Sequence, residues 1–283
     1  VLTRDDIVPY TVFLKAFQAA AGDEGPRAVE VRTFTVHGLS DAGRTQVVDS
    51  ITGFAPSLLV CIGSGAFSFA CTHFSTVPRV CSLVVNPALL QSAAGSNAAC
   101  LRMELSPFAK LSMLKQILPD VQRVGAVYDP QQCEEQVRLL QAAASRLGIV
   151  VDARPVSSSA RAIHVFENIM TEVDALVMFY DKTVLAPQSL QHMYRLSFRH
   201  KVPIVGLSEK YVRLGALFSL DVDIADLGRM AWELSCRCMR DTAACTGVHY
   251  PDAQRILYVN ATVAPKMSIT VPQSVLRQAV MIE

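Results

Sequence analysis

The sequence predicts an α/β protein made of two doubly wound parallel-sheet lobes. Three observations carry this reading. Residues 123–228 run apolar strand, helix, apolar strand, helix, four times over. The pattern breaks near residue 101 and again near residue 222, which fits two sheets joined by several crossings better than one large sheet. Polar or turn residues follow each apolar run, and a parallel sheet gathers such residues on one rim at the carboxyl ends of its strands. The 283 residues are comfortable for two lobes, and with 51% hydrophobic and 18% charged residues both lobes can hold large buried cores.

The elements follow in order. Ile7-Val8-Pro9-Tyr10 leads into an amphipathic helix with Phe13, Leu14, Phe17 and Ala20 on one side; Asp5 or Asp6 is placed to cap it, and Pro9 suits its first turn. Residues 29–36 alternate apolar and polar, as a strand with one covered face does. Ser40 caps a helix through Val47, Val48 and Ile51, ended by Gly53 and Pro56. SLLVCIGSGAFSFA (residues 57–70) is a buried strand, a glycine turn and a helix beginning near Ala66. Residues 79–87 form the next strand, ending at Asn86-Pro87, and a helix covers about residues 107–118. Strands then end at Asp129, before Ser157, at Asp181 and before Ser208. Helices are predicted over residues 131–147, 159–170, 183–200 and 224–239, and residues 242–252 read as a loop. ILYVN (256–260) is a last strand, Asn260 caps a short helix, and residues 268–279 close the chain. The lobes so defined are 1–101 plus 222–248 and 102–221 plus 249–283, with Leu101, Arg102, Asp221 and Asp223 at the crossings.

The rim residues are the candidates for ligand contact. Gly63, Ser64, Gly65 and Ala66 let backbone approach a ligand, and the helix behind them offers N–H groups to an anion; a tight turn between strand and helix explains them equally well. They make neither a Walker loop nor a dinucleotide fingerprint. Ser157, Asp181, Thr183, Ser208 and Glu209 stand at strand-to-helix boundaries, where capping is the competing explanation. Tyr10 and Tyr180 can stack on a ligand or serve as core aromatics at element ends.

Composition removes several function classes. A net charge of +1 without a basic run disfavours nucleic acid or an anionic membrane as the partner. No apolar run approaches the roughly 18 residues of a membrane span. The chain starts at Val1, so the absence of a signal peptide says nothing about export. The eight cysteines include no C-x-x-C or Cys/His metal spacing and read mostly as buried thiols, with a Cys71–Cys81 bridge as an open alternative. The six histidines show no H-E-x-x-H spacing, and Gly63-Ser64-Gly65 lacks the nucleophile-elbow frame. Neither a metal, a cofactor nor an enzymatic activity is expected.

GAVYDPQ, AASRLGIVVDARPVSSS, VDALVMFYDKTV, VPIVGLSEKYVRLGALFSLDVDIADLGRMAWEL and LYVN followed by SITVPQSVL resemble, in order and spacing, the solute-binding proteins of ABC transporters of the TrpX-like group. The likeness covers residue 107 to the end well and TRDDIVPY and IGSGA more loosely. It implies a type I periplasmic-binding-protein fold with a three-strand hinge and a small polar solute, in some members an aromatic amino acid, held in the cleft between two closing lobes. Delivery to a membrane permease, a periplasmic or otherwise extracytoplasmic location, and a lipid anchor are implied with it. Carried over residue by residue, it assigns Gly63, Ser64, Gly65, Ala66 and Asn86 to ligand contact on one lobe. On the other it assigns Ser157, Ser158, Ser159, Asp181, Thr183, Ser208 and Glu209, with Asp221 and Asp223 at the hinge. The chain departs from the family at Ala99-Cys100-Leu101-Arg102, at Glu134-Glu135 and at Phe179-Tyr180. Asp181 is the expected acceptor of a ligand amino group, opposite N–H donors of residues 63–66 for its carboxylate. The protein is expected to work as a monomer. The alternative is that the same two lobes form the ligand-sensing domain of a signalling receptor or transcriptional regulator.

Overall fold

The computed structural model describes residues 1–4, 7–23, 29–84, 89, 97–251 and 255–283. The chain divides into two compact units, Val1–Glu104 with Val222–Gln254 and Leu105–Asp221 with Arg255–Glu283. It changes unit after Glu104, Asp221 and Gln254. Unit 1 begins with β1 (Leu2–Thr3), α1 (Val8–Asp23), β2 (Phe34–Thr35), α2 (Asp41–Phe54), β3 (Leu59–Ile62), α3 (Ser64–His73), β4 (Arg79–Ser82) and β5 (Ala98–Leu101). Unit 2 follows with α4 (Pro107–Ile117), β6 (Arg123–Tyr128), α5 (Pro130–Ser145), β7 (Val150–Pro155) and α6 (Ser159–Ile169). It continues through β8 (Ala175–Val177), α7 (Pro187–His200), β9 (Ile204–Val205), α8 (Glu209–Arg213) and β10 (Phe218–Val222). The chain adds α9 (Ile224–Arg240) and β11 (Gly247–His249) to unit 1. It ends in unit 2 with β12 (Arg255–Asn260), α10 (Val263–Lys266), α11 (Gln273–Leu276) and β13 (Ala279–Ile282).

Each unit is built on one mostly parallel sheet. In unit 1 the order is β2-β1-β3-β4-β5-β11, and in unit 2 it is β7-β6-β8-β9-β10-β12-β13. In both, the chain first pairs outward on one side and then builds away on the other. The strand order therefore reverses beside the first strand of each sheet, between β1 and β3 in one and between β6 and β8 in the other. At such a switch point the loops leaving two neighbouring strands splay to opposite faces and leave a crevice at the carboxyl ends.

Local chemistry sets the helix starts. The side chains of Ser40, Ser106, Asp129, Ser158 and Asp223 accept from N–H groups of their own first turns, and Pro107 and Pro130 occupy first-turn positions where no N–H is needed. In unit 1 Leu2, Ile51, Leu59, Cys61, Phe67, Ala70, Cys81 and Cys100 pack into one buried cluster. In unit 2 Phe166, Ile169, Leu176, Met178, Met193, Ile204 and Val212 do the same.

Helices α1 and α9 pack together at Gly228, where a Cβ would meet the Phe13 carbonyl oxygen at 2.5 Å and the Phe17 amide nitrogen at 3.2 Å. Backbone cannot yield there without moving a helix. Gly228→Ala is therefore expected to lower stability by up to about 2 kcal/mol, because an overpacking cost of about 1–3 kcal/mol, at its upper end for a contact with backbone, outweighs the roughly 1 kcal/mol gained in helix propensity. Urea unfolding measures this; unchanged or raised stability would mean the two helices are not in this contact.

Several expectations change. Only Phe34–Thr35 of the alternating stretch 29–36 pairs as a strand, because β1 offers just Leu2 and Thr3 to it. The helix expected from residue 183 starts at Pro187, since the preceding segment is held as a turn by Asp181. The loop read over 242–252 contains β11, which pairs with β5. The closing segment is a single helical turn followed by β13, paired with β12. Cys81 pairs with Cys100, not Cys71, because parallel register sets Cys81 and Cys100 opposite one another on β4 and β5; Cys71 is a free thiol.

Candidate functional site

The two switch points carry the sequence candidates, and each belongs to one unit. In unit 1, β3 ends at Gly63, which adopts φ 89° and ψ 166°. That conformation is essentially restricted to glycine. The Tyr10 side chain, from the start of α1, lies over Gly63 so closely that a Cβ there would stand 2.5 Å from the ring carbon Cζ. Helix α3 then starts at Ser64 behind a glycine N-cap, which has no side chain to cap it, and a Cβ on the exposed Gly65 would meet nothing within 4 Å. A phenol, a glycine turn and an uncapped helix start thus meet at one switch point, with half-buried Ser64 and buried Ala66 behind them. The arrangement suits a carboxylate or another small anion. Asn86 lies outside the described residues.

In unit 2 the crevice between β6 and β8 is filled by side chains that bond one another. The N–H of Asp129 donates to Asp181 Oδ2 at 2.6 Å, and the N–H groups of Thr183 and Val184 donate to Asp181 Oδ1 at 2.9 and 3.1 Å. Gln132 Nε2 reaches Asp181 Oδ1 at 3.3 Å, Asp129 Oδ2 at 3.1 Å and Thr183 Oγ1 at 2.9 Å. Thr183 Oγ1 in turn donates to Asp129 Oδ2 at 2.8 Å, and the Gln131 N–H donates to Asp129 Oδ1 at 3.0 Å. Two carboxylates side by side differ in environment. Burial pushes the Asp181 carboxyl above its usual range, opposed by the three backbone donors, with Asp129 nearby adding to the rise. The Thr183 hydroxyl, with Gln132 and the Gln131 N–H, holds Asp129 below its usual range against some desolvation.

This bears on the reading of Asp181. It does sit at the strand end, but it is only 1% exposed, and its oxygens accept four hydrogen bonds from within unit 2. Three of these bonds converge on Oδ1 and one on Oδ2, so Asp181 spends most of its acceptor capacity inside unit 2. It is a turn-builder. Asp129, 9% exposed and accepting three bonds, keeps one site.

The other candidates fall in different places. Thr183 belongs to the network just described. Tyr180 is half-buried and packs against the unit 2 core, while its carbonyl accepts from Cys133 Sγ. Ser157 is exposed at the end of β7, and Ser158 spends its hydroxyl capping α6 through the Arg161 N–H. Ser208 precedes α8, and Glu209 pairs with Arg213 while its N–H donates to Asp221 Oδ2 at 3.1 Å. Burial pushes the Asp221 carboxyl up. Leu101 ends β5, and the Arg102 guanidinium stacks over the Tyr250 ring at 5.1 Å within unit 1. Asp221 and Asp223 straddle the second change of unit, and Asp223 caps α9 through the Asp226 N–H.

Sequence reasoning passed over Gln132. Its signal was present: Asp129 is a helix cap and Gln132 stands three residues later, the spacing at which a cap and a Gln or Glu bond one another. Among the described residues no group of three His, Cys, Asp or Glu side chains is placed to hold a metal ion.

Known proteins share this architecture. The chain is similar to a tyrosine-binding protein of Clostridioides difficile, at 22% identity over 143 residues, which is 50% of this chain and 41% of that protein. The match thus spans less than half the length of that relative. It is also similar over its whole length to the ligand-free, open structure of a substrate binding protein with adhesive properties from Clostridium difficile, which it covers to 97% with a TM-score of 0.73 at 16% identity. A streptococcal ABC domain in complex with L-Trp is similar as well, with a TM-score of 0.63, 19% identity and 98% of that chain covered. These likenesses identify a type I periplasmic-binding fold. The sequence profile described as ABC transporter substrate binding protein matches residues 18–282, nearly the whole chain, and so the chain belongs to that family.

Proposed function

We propose that the protein captures a free amino acid, aromatic in its side chain, outside the cytoplasmic membrane and presents it to an ABC permease. The observation that carries this reading is the family match across residues 18–282. The ligand class is supported by relatives whose names refer to tyrosine and L-Trp. Each rim, taken by itself, is compatible with it. The rim of unit 1, with Tyr10, Gly63 and the uncapped start of α3, suits a carboxylate. The rim of unit 2 offers the ionised Asp129 to an amino group. Asp129 takes the role first given to Asp181, because it is the more exposed of the two and is held below its usual range while burial pushes Asp181 up.

In this reading the protein is a carrier without catalysis, metal or cofactor, because capture and release need no bond to break. Conformational closure on the ligand is driven only by contacts that favour the closed state. A net charge of +1 gives no field for nucleic acid. The protein works as a monomer. Among the described residues no helix is long and apolar enough to cross a membrane, and a lipid anchor is proposed to hold the protein near its permease.

Isothermal titration of L-Tyr, L-Trp and L-Phe tests the reading, beside the same side chains on carboxylic acids lacking the amino group. One amino acid is expected to bind, and its deaminated analogue to bind far more weakly. Asp129→Asn should weaken the amino acid by tens to thousands of fold, the ~2–5 kcal/mol of a broken buried charge pair. Equal binding of an amino acid and its deaminated analogue would remove Asp129 from the site.

A further inference from the structure

At the end of the unit 1 sheet away from its rim lies a cavity of about 350 Å³. It opens where β1 and β3 begin, so the four residues of β3, about 13 Å of strand, separate it from Gly63. Phe17, Phe34, Ile51, Phe54, Leu59 and Trp232 supply its apolar wall. Trp232 is the chain's single tryptophan. It is 4% exposed, its ring meets Phe17 edge-on at 5.6 Å, and its indole N–H has no hydrogen-bond partner among the described residues.

A buried donor without an acceptor costs about 1–3 kcal/mol, and native interiors rarely leave one so. Neighbouring groups do not relieve it. Ser235, one turn further along α9, gives its hydroxyl to the Ala231 carbonyl at 2.7 Å. Val1, Glu30, Arg32, Ser57 and Ser235 also line the cavity, and none of them accepts the indole N–H. Arg32 lies at the mouth, over the Phe54 ring at 4.4 Å, and is already neutralised by Glu30 at 2.7 Å. Burying an ionised group against a single N–H would be far more costly than burying a neutral one.

We propose that this cavity is a binding site for a small, uncharged, largely apolar molecule carrying one carbonyl-type oxygen, which accepts the Trp232 N–H. The volume falls in the range of small-molecule pockets. The site is distinct from both rims and does not rest on the amino-acid reading.

Cyclohexyl methyl ketone and ethylcyclohexane, nearly equal in size, separate the acceptor from the apolar body. The single tryptophan reports occupancy directly. The ketone is expected to change Trp232 emission saturably and to bind about tenfold more tightly than the hydrocarbon. In Trp232→Phe, followed by ligand-observed NMR, that preference should disappear. Val31→Phe, which adds bulk at the half-buried lining residue Val31 while keeping Trp232, should abolish the emission change in a folded protein. The proposal is overturned if the ketone leaves Trp232 emission unchanged up to its solubility limit, if both compounds bind alike, or if the preference survives in Trp232→Phe.

Discussion

Asp181→Ala is expected to cost about 2–4 kcal/mol of stability, because it strips acceptors from several buried or half-buried donors at once. The donors are the N–H groups of Asp129, Thr183 and Val184 and the amide of Gln132. Two of these N–H groups lie in the turn itself and can reach water as it loosens, so the loss is smaller than four separate bonds would suggest. The cost of burying the charge, which holds the Asp181 carboxyl above its usual range, is also relieved. The substitution should loosen the turn before α7 and release Gln132, so any fall in ligand affinity should come with a fall in melting temperature. An Asp181→Ala protein that melts like the parent yet binds its ligand far more weakly would restore direct ligand contact to Asp181.

Gly63→Val is expected to be at least as damaging, at about 2–6 kcal/mol, for two independent reasons. A non-glycine residue at this φ and ψ carries about 1–3 kcal/mol of backbone strain. Its side chain would also collide with the Tyr10 ring, an overpacking cost of about 1–3 kcal/mol. The two parts separate in a double-mutant cycle. Tyr10→Ala removes the ring and should recover the collision cost but not the strain, so Gly63→Val/Tyr10→Ala should be more stable than the sum of the single losses implies. Strict additivity in denaturant titrations would contradict the contact between the two residues.

Strand and helix periodicity made the general architecture legible, because buried parallel strands are continuous apolar runs and their helices carry one apolar face. Pieces whose existence depends on a partner were not legible. Strand β1 has two residues, β11 has three within a stretch that reads as a loop, and β13 closes the chain where no element was read; each is defined by the neighbour it pairs with. The Cys81–Cys100 bridge required the register of β4 on β5, which no local pattern encodes.

The site divides in the same way. That Asp129 and Asp181 end strands was readable from the chain. Which of the two turns its oxygens inward was not, because the Asp181 partners include the Asp129 N–H and the Gln132 amide, 52 and 49 residues away. Conversely, the closeness of Tyr10 to Gly63 follows from β1 and β3 being neighbours, with α1 and α3 leaving them at the switch point. Ser158 shows the opposite outcome: capping, the simpler explanation available from the sequence, accounts for its hydroxyl.

Native mass spectrometry of the protein incubated with an equimolar mixture of the twenty amino acids tests the central claim most directly. The account expects a single 1:1 adduct with the mass of one aromatic amino acid, reduced or lost in Asp129→Asn. An unliganded spectrum across the mixture, together with a saturable adduct of a sugar or another solute lacking an amino group, would contradict it.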